Sequence, residues 1–144
     1  MPLLKLLIVG FAAGFLAVPI FHQGLWWIFN RIGVIPAQRA AWVMDPMLPF
    51  GVPALVSKAF WGGVWGAALA CFLAGLGGVS YWAGWILVGA FALTLVAFFI
   101  VPPIKREKMP APFLPRFLVG LSVNGAWGFG TALLLRLIAA AGLL

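Results

Sequence analysis

Four long and predominantly apolar runs constrain this chain more than any other feature of its sequence. They occupy residues 3–28, 54–75, 82–101 and 117–139. A helix that crosses the hydrocarbon core of a bilayer needs about 20 predominantly apolar residues, so each run is long enough to span a membrane. Hydrophobic residues make up 65% of the 144 and charged residues only 8%, whereas a soluble domain is about half apolar and about a quarter charged. The sequence therefore predicts an all-α membrane protein, a single integral domain over residues 1–144 with four transmembrane helices.

The basic residues predict how these helices are oriented. With four spans, the connections after the first and third runs lie on one side of the membrane, and both termini lie on the other. Seven of the nine lysines and arginines fall on the side of the long connections. Because basic residues concentrate in cytoplasmic loops, we expect the long loops in the cytoplasm and both termini outside. The seven are Arg31, Arg39, Lys58, Lys105, Arg106, Lys108 and Arg116.

Aromatic residues near the predicted span ends are expected to anchor the helices at the two membrane interfaces, where tyrosine and tryptophan are enriched. The uncharged connection GLGGVS would form a tight external hairpin beside an outer belt of such residues. On the other side, the segment PAQRAAWVMDP would form a short interfacial helix that begins at Pro36 and ends at Pro46. The outer belt would contain Tyr81, Trp82 and Trp85, and the inner belt Trp26, Trp27 and Trp42.

The two halves of the sequence match each other in part. A shift of 62 residues aligns MLPFGVPALVSKAFWGGVWGAALA with MPAPFLPRFLVGLSVNGAWGFGTA, so that Trp65 meets Trp127 and Gly66 meets Gly128. The first and third spans align only loosely. We interpret the match as a duplicated unit of helix, proline-rich loop and helix, with both copies in one orientation, as in parallel membrane repeats.

Each half carries the motif Gly-x-Trp-Gly, which predicts how the helices pack. Gly62 and Gly66 share one face of a helix, as do Gly10 and Gly14. Faces without side chains let helix backbones approach closely, which holds many membrane helices together. The neighbouring tryptophans either fill gaps in this packing or stack on a bound ligand. The residues to which these roles apply are Trp61, Gly62, Trp65, Gly66, Trp127 and Gly128.

Five polar residues lie in or near the spans, at similar depths on the side of the long loops. One is the only histidine of the chain, His22. Pro19 would kink the first helix by removing its bond to the Phe15 carbonyl, and so make room for this histidine. Polar side chains at such depth are costly and usually face the interior of a helix bundle. We therefore expect an inward polar cluster of His22, Gln23, Asp45, Lys58 and Asn124.

The sequence leaves three roles open for this cluster. Its residues would hydrogen-bond across helices in a structural network, or form a path for a proton or small solute built on His22, Asp45 and Lys58. Alternatively, His22 would be an axial ligand of a haem or chlorophyll, although a single histidine excludes a haem held by two histidines of one chain. The sequence has no metal-binding cluster, no nucleophile paired with a base and no phosphate-binding loop. We therefore expect a protein that is not an enzyme and binds no cofactor or metal.

Three motifs combine glycine, proline and tryptophan in order: FHQG in the first span, PFGVPALVSKAFWGGVWG at the second and NGAWGFGTALLLRL in the fourth. In these motifs the chain resembles a set of small hypothetical bacterial inner-membrane proteins with four predicted helices and no assigned function. The resemblance covers most of the chain and is weakest in the third span. It implies a bacterial inner membrane, and hence periplasmic termini, but no catalytic residue.

The function that we expect from the sequence is non-enzymatic association in the membrane. Four short helices with small loops leave little internal volume for a transport machine, whereas glycine faces and tryptophans offer contact surfaces. We expect an accessory subunit of a larger membrane complex or a homo-oligomer, in contact with lipid and with no nucleic-acid partner. The alternative is a small-solute or proton transporter that uses the polar cluster. A water-filled cavity around His22, Lys58 and Asn124 would favour transport, and a dry, fully hydrogen-bonded cluster would favour a structural role.

Overall fold

The computed structural model, which describes residues 2–142, contains four helices that are each long and apolar enough to cross a membrane. Helix α1 covers Leu3–Arg31, α2 covers Ala54–Leu73, α3 covers Gly78–Lys105 and α4 covers Phe113–Ala140. The predicted all-α, four-span fold is thereby confirmed. The duplication of a helix-loop-helix unit stays a prediction.

Two helices contain turns of π-helix that the sequence did not reveal. In α1 the turn covers Val18–His22 and includes Pro19, so the helix passes the proline instead of breaking there. In α3 such turns cover Gly89–Leu93 and Val96–Ile100. The third helix also continues beyond residue 101, where its apolar run was expected to end. A new helical segment, Val101–Lys105, begins with Pro102 and Pro103 in its first turn, where no hydrogen bond from the proline nitrogen is needed.

The connection between α1 and α2 is mostly irregular. Its ordered part is a short antiparallel hairpin in which strand β1, Pro46–Met47, pairs with strand β2, Val52–Pro53. The predicted interfacial helix between Pro36 and Pro46 is wrong, because this segment forms turns and bends and Trp42 has a positive φ of 52°. Hydrogen bonds from Trp42 to α1 take the place of the bonds that a local helix would make.

Helices α1 and α2 pack backbone against backbone at glycine. A Cβ atom on Gly66 would lie 2.8 Å from the Gly14 Cα and would collide with the Gly10 carbonyl oxygen. A Cβ on Gly62 would similarly lie 2.9 Å from the Gly14 carbonyl oxygen. Gly62 and Gly66 therefore lie at a close contact between the two backbones, and no larger residue fits there without separating the helices.

Helix α4 packs in the same way against α3 and also joins the two helix pairs. A Cβ on Gly89 would lie 3.1 Å from the Gly128 Cα, and one on Gly128 would collide with the Trp85 carbonyl oxygen. Toward the other pair, the indole nitrogen of Trp127 donates a hydrogen bond of 2.9 Å to the Gly14 carbonyl oxygen. Trp127 is buried. Both Trp127 and Gly128 therefore contribute to the packing of α4, and Trp127 also lines the groove between α2 and α3.

Two aromatic residues assigned to the outer membrane belt belong instead to the core. Tyr81 is 2% exposed and Trp85 is 0% exposed. The Tyr81 hydroxyl donates a hydrogen bond of 2.8 Å to the Ala132 carbonyl oxygen, and the Arg136 guanidinium lies 4.2 Å from the centre of the Tyr81 ring. Because glycine and alanine on α4 leave space, these rings fill the bundle between α3 and α4 rather than meeting the headgroups.

Helices α2 and α3 approach each other only near their short connection. There, a Cβ on Gly84 would lie 3.3 Å from side-chain atoms of Leu73 and Leu76. Farther along α3, the turn Gly89–Leu93 packs closely on α4, and from Gly89 onward the backbone of α3 hardly approaches that of α2. The two helices therefore diverge toward the long loops, with α1 and α4 behind the opening.

We expect replacement of Gly66 or Gly128 by leucine to destabilise the bundle, because the new side chain forces two backbones apart. The free energy of unfolding in detergent should fall by about 1–3 kcal/mol for each variant. Gly24→Leu is the matched control, since nothing lies within 4 Å of a Cβ at that helical position. Denaturant unfolding monitored by circular dichroism measures the effect. Wild-type stability in Gly66→Leu and Gly128→Leu would contradict the packing described here.

Candidate functional site

Two adjoining cavities lie where α2 and α3 diverge. The first, the loop-side cavity, has a volume of about 560 Å³ and is lined by both long connections, including Ile35, Arg39 and Pro110. The second, the interhelical groove, has a volume of about 810 Å³ and runs between α2 and α3, from Ser57 to Leu93. Both are partly open to the outside. The residues that line both cavities are His22, Lys58, Ala97 and Asn124.

The structure brings together three of the five residues of the predicted polar cluster. His22 from α1, Lys58 from α2 and Asn124 from α4 line the junction of the two cavities. Gln23 follows His22 in the chain, contacts the His22 ring and is 2% exposed. These three side chains therefore surround open space, and water in that space is the condition under which they would serve transport.

Asp45 is not part of this cluster, and its assignment to the cluster is wrong. Its side chain is exposed, and within the described residues it lines neither cavity. Its carbonyl oxygen accepts a hydrogen bond of 3.0 Å from the Ala54 N–H, which joins the hairpin to the start of α2. A carboxyl group is least costly to place in water, which is where this arrangement leaves it.

A chain of hydrogen bonds fixes the orientation of the His22 ring. The backbone N–H of Trp42 donates to the Gln23 side-chain oxygen at 2.9 Å, so the Gln23 amide nitrogen faces His22 and lies 3.0 Å from its Nδ1. An amide nitrogen only donates, and therefore Nδ1 accepts and the ring hydrogen is assigned to Nε2. Trp42 makes a second hydrogen bond to α1, in which its indole nitrogen donates to the Pro19 carbonyl oxygen at 2.8 Å. The first long loop is thereby attached to the π-helical turn of α1.

Trp26 is surrounded by cationic and aromatic groups. The Arg39 guanidinium lies 5.1 Å and the Lys58 ammonium 5.7 Å from the centre of the Trp26 indole, within the range of cation–π attraction. The His22 ring stacks on the same indole at 6.4 Å with an interplanar angle of 10°. The Trp26 indole nitrogen donates to the Arg39 carbonyl oxygen at 2.7 Å. Trp26 therefore positions both cations at the wall of the loop-side cavity.

Three cations line the loop-side cavity, and among residues 2–142 no carboxylate lines it with them. They are Arg39, Lys58 and Arg116. The chain has only two acidic residues, Asp45 and Glu107, and neither is part of the cavity wall. Partial burial and the nearby Arg116 guanidinium lower the pKa of Arg39 from its ordinary value. Like charges thus face one another around a cavity whose other walls are mostly apolar, an arrangement that favours entry of an anion.

The Asn124 side chain already has a hydrogen-bond partner within the bundle, whereas two tryptophans of the groove are partly exposed and could contact a ligand. The Asn124 side-chain nitrogen donates a hydrogen bond of 2.8 Å to the hydroxyl of Thr94, which is fully buried. Trp61, which is 59% exposed, and the half-buried Trp65 line the interhelical groove. The ligand-contact alternative therefore stays open for Trp61 and Trp65.

Sequence reasoning missed Arg39, Arg116 and Trp26 as site residues and assigned them only to membrane orientation or anchoring. The basic character of the two long loops was a visible signal, but their meeting over one cavity depends on the fold. No group of three or more His, Cys, Asp or Glu side chains able to hold a metal ion occurs in the part of the chain that the structure describes. Ligation of haem or chlorophyll by His22 stays a prediction.

Comparison with known proteins adds no constraint to this site. No protein-family model matches the chain, and neither the curated proteins nor the solved structures give a significant match. The resemblance to small hypothetical bacterial proteins therefore stays a prediction, and the site has to be interpreted from its own geometry.

We expect Gln23→Leu to destabilise the protein, because it leaves the Trp42 N–H without its acceptor and removes the donor to His22. A fully buried donor without a partner costs about 1–3 kcal/mol, and because this bond is only partly buried we expect the free energy of unfolding to fall by about 1 kcal/mol. Gln38→Leu, at an exposed position of the same loop, is the control. Protease cleavage of that loop should also become faster in Gln23→Leu alone. Equal stability and equal cleavage rates in the two variants would contradict the role assigned to Gln23.

Proposed function

We propose that this protein is a multi-pass protein of a bacterial inner membrane that binds an anionic group in the loop-side cavity and transports the anion that carries it. The observation that carries the proposal is the cavity wall itself, where Arg39, Lys58 and Arg116 meet without a carboxylate. His22 and Asn124 add polar groups at the same place. Hydrogen bonds to charged groups are stronger than neutral ones, so an anion in this cavity would be held by charge-assisted bonds from several sides.

The shape of the bundle supports transport rather than a purely structural role for the polar cluster. The cavity is open on the side of the long loops. Toward the short connection, the bundle is closed by Trp127, Trp85 and Tyr81, which are all buried. Access from one side with a packed barrier on the other corresponds to one state of an alternating-access carrier. Alternating access requires groups of helices to move relative to one another, and a single chain of this size has few helices to do so. We therefore propose that it works as an oligomer.

Association with another membrane protein, the first expectation from the sequence, is the second candidate function. The observation that favours it is the tip of the β1–β2 hairpin. There, Leu48 is 94% exposed and Phe50 is 88% exposed, at the end of the bundle where the polar loops lie. Two large apolar side chains at a hairpin tip offer a contact point for a partner subunit or a second copy of this chain.

The positive-inside rule supports an orientation with the long loops in the cytoplasm and both termini in the periplasm. We expect a cytoplasmic reporter fused after Lys108 to be active, and a periplasmic reporter fused to the C-terminus to be active as well. The exchanged pair of reporters at the same two sites is the control and should be inactive. Activity of the exchanged pair would contradict the orientation and place the cationic cavity on the periplasmic side.

We expect the purified protein to bind inorganic phosphate, and Arg39→Gln or Arg116→Gln to weaken this binding. Loss of one charge-assisted contact should raise the Kd about tenfold. Lys108→Gln is the matched control, because it removes a cation from a long loop but not from the cavity wall. Titration calorimetry in detergent measures the Kd, and uptake of labelled phosphate by proteoliposomes tests transport. Equal phosphate affinity in all three variants and the wild type would contradict the proposal.

A further inference from the structure

The interhelical groove extends from the cationic cavity toward the middle of the bundle, and its chemistry changes along the way. At the loop end it is lined by Ser57, Lys58 and Lys105. Deeper in the bundle its walls are apolar, with Val64 and Ala68 on α2 opposite Leu93 and Val96 on α3. The groove therefore combines a charged end with an apolar end, as an amphiphile does.

The groove is also accessible from the lipid. Helices α2 and α3 hardly touch from Gly89 onward, so no helix closes the gap between them. Residues on its rim are exposed, with Trp61 at 59%, Ile100 at 53% and Ile104 at 75%. In a bilayer these side chains face acyl chains rather than water. A lipid molecule would reach the groove sideways, without first leaving the membrane.

The length of the groove corresponds to one leaflet. Between Ser57 and Ala68, which both line it, helix α2 rises by about 16 Å. The hydrocarbon core of a bilayer is about 30 Å thick, so each leaflet contributes about half of that thickness. An acyl chain of ordinary length would therefore fill the groove when its headgroup lies beside Lys58 and the loop-side cavity.

We propose that the ligand of this site is an anionic membrane lipid, with its phosphate group in the loop-side cavity and an acyl chain in the interhelical groove. This inference rests on the proposed function, because it names the class of anion that the same cations bind. Charge complementarity decides the occupant. Lipid tails are as apolar as the groove, so a chain gains little by moving there from the bilayer, and the net negative charge of the headgroup must supply the preference. A zwitterionic lipid with the same chains, whose phosphate is balanced by its own cation, is not retained.

The test compares lipid retention with phosphate binding in variants of the groove. The protein is reconstituted in a mixture of long-chain phosphatidic acid and phosphatidylcholine of the same chains, and bound lipid is identified by native mass spectrometry. We expect the wild type to retain phosphatidic acid. Val96→Trp fills the groove from α3, and Val64→Trp fills it from α2 as an independent second variant. Each should retain about tenfold less phosphatidic acid than the wild type while its Kd for inorganic phosphate is unchanged.

Leu95→Trp is the matched control, because Leu95 is the neighbour of Val96 but is 45% exposed and is not part of the groove wall. It should retain phosphatidic acid like the wild type. If both groove variants retain phosphatidic acid at the wild-type level, or if phosphatidylcholine is retained equally well, the lipid inference is overturned while the anion site stands. If Arg39→Gln and Arg116→Gln leave phosphate binding unchanged, the proposed function fails, and the lipid inference fails with it.

Discussion

The helix pairs α1–α2 and α3–α4 are held together where glycine lets one backbone rest on another, at Gly14 and Gly66 in the first pair and at Gly89 and Gly128 in the second. Lipid tails are as apolar as leucine side chains, so in a bilayer such close packing is a main source of helix association. The hydrogen bond from Trp127 to the Gly14 carbonyl joins the pairs. No comparable contact joins α2 to α3 beyond their short connection, and the cavities lie in the space that results.

The cations in that space are only partly compensated by the protein. Arg39 and Lys58 lie over the Trp26 indole, and an exposed cation–π contact contributes about 0.5–1 kcal/mol. A hydrogen bond to a charged group contributes more, about 1.5–3 kcal/mol. Among the described residues, no side chain of the cavity wall makes such a bond to these cations. An anion from outside the chain would therefore stabilise these cations more than the protein's own side chains do. The first long loop brings Arg39, and the start of α4 brings Arg116, to the cavity where that anion would bind. The glycine contacts and the function proposed here are therefore linked through the shape of the bundle.

The sequence predicted the four spans and the glycine contacts because both depend on local patterns: the length of an apolar run and the spacing of glycines on one helix face. It also predicted that His22, Lys58 and Asn124 would meet, because their depths follow from helix geometry. It failed for Tyr81 and Trp85, since distance from a span end does not tell whether a ring faces headgroups or a glycine on a neighbouring helix. It failed for Asp45 and for the helix expected at Pro36–Pro46, because hydrogen bonds between Trp42 and α1 determine the path of that loop. The cationic wall could not be predicted, because Arg39 and Arg116 are 77 residues apart and meet only through tertiary structure.

The existence of a water-accessible, cationic cavity in the membrane-embedded protein can be measured directly by cysteine accessibility. Val119 lines the loop-side cavity, whereas its neighbour Leu118 is 52% exposed on the outer surface of α4. In a Cys71→Ser background, Val119→Cys and Leu118→Cys are treated with thiosulfonate reagents of similar size and opposite charge. We expect Val119→Cys to react, and to react faster with the anionic reagent than with the cationic one, while Leu118→Cys is protected by lipid. An unreactive Val119→Cys, or a faster reaction with the cationic reagent, would contradict the cavity and its charge.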